Sequence, residues 1–108
     1  MARADIAAII ADAGLPAVYH QWPDGSTPAF PCVRYVKSGE NNVNADNAKY
    51  FRVDEFDVFL VSEWKDEASE LALEAAFERA GLMLDMLDES YNRAERLYTV
   101  MYQVQAPR

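Results

Sequence analysis

A chain of 108 residues, 51% hydrophobic and 26% charged, has the composition of one globular domain with room for a single modest core. Its 18 acidic and 10 basic residues give a net charge of −8, a field that repels phosphate backbones and argues against a surface built to grip DNA or RNA. A single cysteine, Cys32, and a single histidine, His20, exclude an intrachain disulfide and a thiolate metal cluster, and leave zinc and histidine acid–base chemistry almost without material.

The opening segment has a short apolar middle flanked by Asp5 and Asp12, with only Arg3 basic, a pattern unlike a signal peptide. No run approaches the length of a bilayer crossing. Ile6, Ile9, Ile10 and Ala13 fall at i, i+3, i+4 and i+7, so a helix is expected from about Ala2 to Ala13. Gly14 suits the left-handed closing position, Leu15 can fold back on the last turn, and Pro16 cannot continue the helix.

Ala17 to Trp22 fits a short edge strand, followed by an extended loop with Pro23, Pro28, Pro31 and the turn dipeptide Asp24-Gly25. Cys32 to Lys37 reads as a strand. The segment 38–49, SGENNVNADNAK, is expected to be a polar turn region, too rich in Asn and Gly for regular structure. Tyr50 to Val61 is the central strand, because Phe56, Val58 and Leu60 alternate and belong against the helices. The opposite row holds Asp57 but also Phe59 and Val61, so that face is expected to be partly covered.

Asp66 is placed to cap a second helix, with Glu67 and Glu70 in its favourable first turn and Gly81 as its stop after about Ala80. On its wheel Glu67, Glu70, Glu74 and Glu78 form one strip. Ala68, Leu71, Ala72, Leu73, Ala75, Ala76, Phe77 and Ala80 fill nearly all the rest, a wider arc than one sheet covers. Residues 82–91, LMLDMLDESY, fit a short strand or a loop. Leu97 to Val104 is a strand with Tyr98, Val100, Tyr102 and Val104 in one row and Leu97, Thr99 and Met101 in the other. The expected fold is a single α+β domain over 1–108. A small antiparallel or mixed sheet of about four strands packs on two helices in the order α-β-β-α-β.

Candidate chemistry is thin. Asp54, Glu55 and Asp57 form an acidic cluster, but Asp54 and Asp57 point to opposite sides of a regular strand, so solvated or interface charge is the expected role. Asn44, Asp46 and Asn47 lack the glycine and distal glutamate of a calcium loop and read as turn residues. Cys32 sits within a strand and is expected to be buried and inert, and His20 has no catalytic partner in view. With no nucleophile elbow, phosphate loop or dinucleotide fingerprint, neither an enzyme nor a cofactor is expected.

Interface features remain. The steps Glu70–Glu74–Glu78 each cost roughly 0.2–0.5 kcal/mol in an isolated helix, which a basic partner surface such as one bearing Arg93 and Arg96 would relieve. The residues assigned to a subunit interface are Phe59, Glu70, Leu73, Glu74, Phe77, Glu78, Arg93, Arg96, Leu97 and Met101.

The chain resembles the small tail-completion or tail-terminator proteins of long-tailed phages and prophages. The matching stretches are GLPAVYH, PAFPCVRYV, NNVNADNAKYF, FDVFLVSEWKDEASE and ESYNRAERLYTVMYQVQ, which together span nearly the whole sequence. The resemblance implies an α+β fold and a ring, typically hexameric, at the head-proximal end of the tail tube. That ring would cap tube growth, contact the major tail protein and offer a docking surface to the neck connector. It implies no catalytic residues, and a location in the virion tail or, during assembly, in the host cytoplasm. An acidic ring would let DNA pass without sticking. Two other readings fit the sequence. One is a small acidic dimeric ligand-binding or regulatory module whose pocket is walled by Trp22 and Phe30. The other is a neck adaptor or minor head protein of the same gene cluster.

Overall fold

The computed structural model describes residues 3–20, 29–45 and 49–107. Its elements are α1 (Arg3–Asp12), β1 (Ala17–Tyr19), β2 (Cys32–Ala45), β3 (Lys49–Ser62), α2 (Glu67–Arg79), β4 (Leu84–Asn92) and β5 (Leu97–Pro107). The fold is α+β, with a five-stranded mixed sheet in the order β1-β2-β3-β5-β4. β1 runs parallel to β2, and the other neighbours are antiparallel. The edge strand expected over Ala17 to Trp22 is present as the three-residue β1, and residues 82–91, read as a short strand or a loop, supply the outer strand β4, which brings the sheet to five strands.

Period-two patterning places the core. Phe56, Val58 and Leu60 of β3 are buried and lie opposite Val104, Tyr102 and Val100 of β5, also buried. Val33 and Tyr35 extend this face onto β2. Ile6 and Ile10 of α1 and Leu73 and Phe77 of α2 close over it in one cluster, so both helices cover the same side of the sheet.

The helix ends follow the residues that punctuate them. The Asp66 carboxylate accepts from the Ser69 backbone N–H at 3.1 Å and starts α2. At its far end Gly81 takes φ +80°, its N–H donates to the Glu78 carbonyl, and the Leu82 N–H reaches back to the Phe77 carbonyl. This paired arrangement satisfies two carbonyls that the helix leaves open and turns Leu82 into the core.

The segment 38–49 differs from expectation. β2 and β3 pair from Cys32↔Val61 out to Ala45↔Lys49, with an irregularity between Lys37 and Gly39, so the polar stretch is mostly ladder. Ladder hydrogen bonds use the backbone, and strand preference is dominated by context, so Asn-rich sequence does not prevent pairing once a hairpin is in register. The bulge accommodates the one extra residue on β2. β5 accompanies β3 only as far as Val53↔Pro107, and β1 accompanies β2 only over residues 33–35. Beyond those points the hairpin is a two-stranded ribbon, and the molecule measures 52 × 28 × 23 Å.

Candidate interaction surface

The acidic cluster on β3 is divided by the pleat. Asp54 shares the helix-covered side with Phe56 and is buried, with Lys37 Nζ at 3.4 Å. This corrects the expectation of solvated charge, because the lysine offsets the cost of burying that carboxylate. Asp57 faces the other way and accepts from Gln103 Nε2 at 3.4 Å. Cys32 is buried. His20 is exposed, with φ +71° and its ring tilted against Tyr19. Among the described residues, His, Cys, Asp and Glu come together in no group of three able to hold a metal ion. Asp46, Asn47 and Trp22 lie outside the described residues, as does the predicted helix start at Ala2.

The apolar surface that the core leaves over is concentrated on one flank. The exposed large hydrophobics among the described residues are Trp64, Leu71, Met83, Met86, Leu87 and Tyr91, all on α2, β4 or the segments leading to them. Leu71 is 66% and Met83 77% exposed. β4 is an outer strand with a neighbour on one side only, and the register shift between Met86 and Asp88 makes Leu87 an extra, unpaired residue. Two shallow concavities run along the seam between α2 and β4. One of about 260 Å³ is lined by Glu74, Glu78, Leu82, Met83 and Leu84. The other, of about 200 Å³, is lined by Lys65, Glu67, Glu70, Leu71, Glu74 and Met86. The flank therefore combines carboxylates from the helix with methionine and leucine from the strand.

Its polar end is organised by Lys65. The ammonium donates to Glu70 Oε1 at 3.0 Å and to Glu89 Oε1, and lies 5.5 Å from the Tyr98 ring centroid. Hydrogen bonding first to Glu89 and then to Glu70 holds the Lys65 ammonium above the usual lysine range. The bond from Lys65 holds Glu89 below the usual carboxylate range. Burial, then the Glu89 charge, raises the Tyr98 phenol. Burial also raises Tyr102, followed by the charges of Glu74 and Glu70. Glu70 was expected on an exposed strip, but it is buried, and Lys65 from before the cap neutralises it. Glu70 Oε2 and the Tyr102 hydroxyl are buried without a hydrogen-bond partner among the described residues.

These directions set a pH profile. Glu89, depressed in the fold, contributes stability above its unfolded value, and that stability is lost as pH falls from about 4.3 downward. Lys65, Tyr98 and Tyr102, all raised in the fold, contribute stability that is fully present below about pH 10 and is lost as pH rises beyond it. The denaturation midpoint is expected to be level around neutrality and to fall on both sides. A midpoint unchanged between pH 7 and about pH 11 would contradict the buried phenol of Tyr102.

The structure separates the residues assigned to an interface. Leu73 and Phe77 are fully buried in the chain's own core, which corrects their assignment: neither has surface left to offer a partner. Glu70 is withdrawn for the reason just given. Glu74 is half-buried and Glu78 exposed along the seam. Phe59 and Met101 are cross-strand partners on the sheet face opposite the helices, half-buried, with the Arg34 guanidinium 4.1 Å from the Phe59 ring centroid. Leu97 lies half-buried at the start of β5. Arg93 and Arg96 are exposed in the turn between β4 and β5. Asn92 Oδ1 accepts from the Ala94 and Glu95 backbone N–H groups at 3.0 and 3.1 Å and orders that turn, and Arg96 takes φ +57°. Sequence reasoning missed Trp64, Met83, Met86, Leu87 and Tyr91. The available signal was the density of Leu and Met in LMLDMLDESY beside an already over-apolar helix.

Fold and surface together define an acidic α+β domain with one amphipathic flank along α2 and β4. No protein-family model matches the chain, and no curated protein matches it. Among solved structures it is similar to a chain of the virion of a native gene transfer agent (GTA) particle, at 19% identity. The similarity covers 98% of this chain and 85% of that one, with a TM-score of 0.46.

Proposed function

We propose that this chain is a structural protein of a phage or prophage virion, a tail terminator or tail-completion protein. It assembles as a hexameric ring at the head-proximal end of the tail tube, where it caps the tube and meets the neck connector. The observation that carries this reading is the α2–β4 flank, where the exposed Leu71, Met83 and Met86 border a line of glutamates. Apolar side chains gathered on one carboxylate-edged flank are characteristic of a protein that docks, and a non-catalytic role accords with them. The position in the tail comes from the sequence resemblance, which spans nearly the whole chain. The net charge of −8 suits a ring through which DNA passes.

Labelling intact particles with an antibody against this chain tests the assignment. The label is expected at the junction of tail and head. Label at the tail tip, or particles that carry none, would contradict it.

A further inference from the structure

We propose that the groove along the α2–β4 seam receives the β4–β5 turn of a second copy of this chain, with Arg93 and Arg96 of that copy seated against Glu74 and Glu78. This deepens the ring reading and rests on it.

Most of the described cations are paired within the chain. Among basic residues whose side chains are described, Lys37 pairs with Asp54, Lys65 with Glu70 and Glu89, and Arg79 with Asp12 at 2.8 Å. Arg34 lies over Phe59 and donates to the His20 carbonyl. Arg93 and Arg96 are the described cations without a partner among the described residues, and they share one turn held by Asn92. On the acidic side, Glu74 and Glu78 line the seam with no basic partner among the described residues. The free described cations thus share one turn, which also carries Glu95, and two of the free carboxylates, Glu74 and Glu78, lie together on the seam.

The groove itself also suits a cation with an apolar stem. Its lining sets the exposed Leu71, Met83 and Met86 beside the carboxylates of Glu74 and Glu78. An arginine suits both parts of the surface. Its guanidinium meets carboxylates in a planar fork, while its aliphatic stem covers apolar neighbours such as Leu71, Met83 and Met86.

Charge also decides between ways of joining two copies. Pairing β4 with β4 across a two-fold axis would bring Asp85, Asp88 and Glu89 toward copies of themselves, and like charges across a ladder are destabilising. Turn into groove brings opposite charges together. It uses two different surfaces of each copy, so it is heterologous and adds copies head to tail until the rotation closes. Rising salt weakens it by screening.

A reciprocal charge swap tests the contact with the full chain. One variant carries Arg93→Glu and Arg96→Glu; the other carries Glu74→Arg and Glu78→Arg. Sedimentation at up to millimolar concentration measures self-association, and circular dichroism verifies that both variants fold. Each variant alone is expected to self-associate at least about tenfold more weakly than the native chain. An equal mixture is expected to recover native association, because every turn then meets a groove of opposite sign. Either variant associating as well as the native chain, a mixture that fails to recover, or a native chain that stays monomeric throughout overturns the contact. Antibody label at the tail–head junction together with a failed swap would displace this contact and leave the virion role standing.

Discussion

Phe77→Ala is expected to lower the stability of the isolated chain by roughly 3–5 kcal/mol, and Leu71→Ala, on the same helix, to change it by no more than about 0.5 kcal/mol. Both residues are large and apolar, both lie on α2, and the wheel places both in one wide arc. They differ in what covers them. Phe77 is fully buried in the cluster with Ile6, Ile10, Val58 and Tyr102, so truncation removes contacts and leaves a cavity. Leu71 is 66% exposed, and its removal takes little from the core. Urea titrations of dilute protein give both values, and an unchanged slope would show that compactness is unaltered. A midpoint unmoved by Phe77→Ala, or a Leu71→Ala loss of similar size, would reverse the division of α2 into a buried side and an exposed side.

That division marks where the sequence stopped being legible. The row Phe56, Val58, Leu60 was readable because a pleated strand alternates strictly, and a one-residue slip would reverse every side chain. The ends of α2 were readable because Asp66 and Gly81 act locally through backbone hydrogen bonds. The wheel of α2 gives the width of its apolar arc but not how many neighbours cover it. α1 and the sheet together absorb Leu73 and Phe77, and the surplus falls on Leu71. Glu70 misled for a related reason. Its neutralising cation comes from Lys65, ahead of the cap, so helical spacing does not mark the pair.

The hairpin shows the opposite failure. Asn and Gly in 38–49 carry local turn signals, but the register is set by the buried half of the hairpin, Val33↔Leu60 and Tyr35↔Val58, and the ladder continues outward from there. β4 was ambiguous because its sequence alternates poorly. The shift between Met86 and Asp88 puts consecutive apolar residues outside, a pattern that a regular strand does not predict. The candidate surface inherits both failures, since its apolar half lies on β4 and its acidic half on α2.

The largest effect is expected in the particle. In the proposed role the chain would act at two interfaces, the end of the tube and the neck, and its loss would remove both together. Deleting its gene from a phage or prophage that carries it and imaging the products by electron microscopy tests the proposal most directly. The expected result is loss of infectious particles, with tails of uncontrolled length or filled heads and tails that fail to join. Infectious particles of normal tail length and normal yield from the deletion would contradict the account.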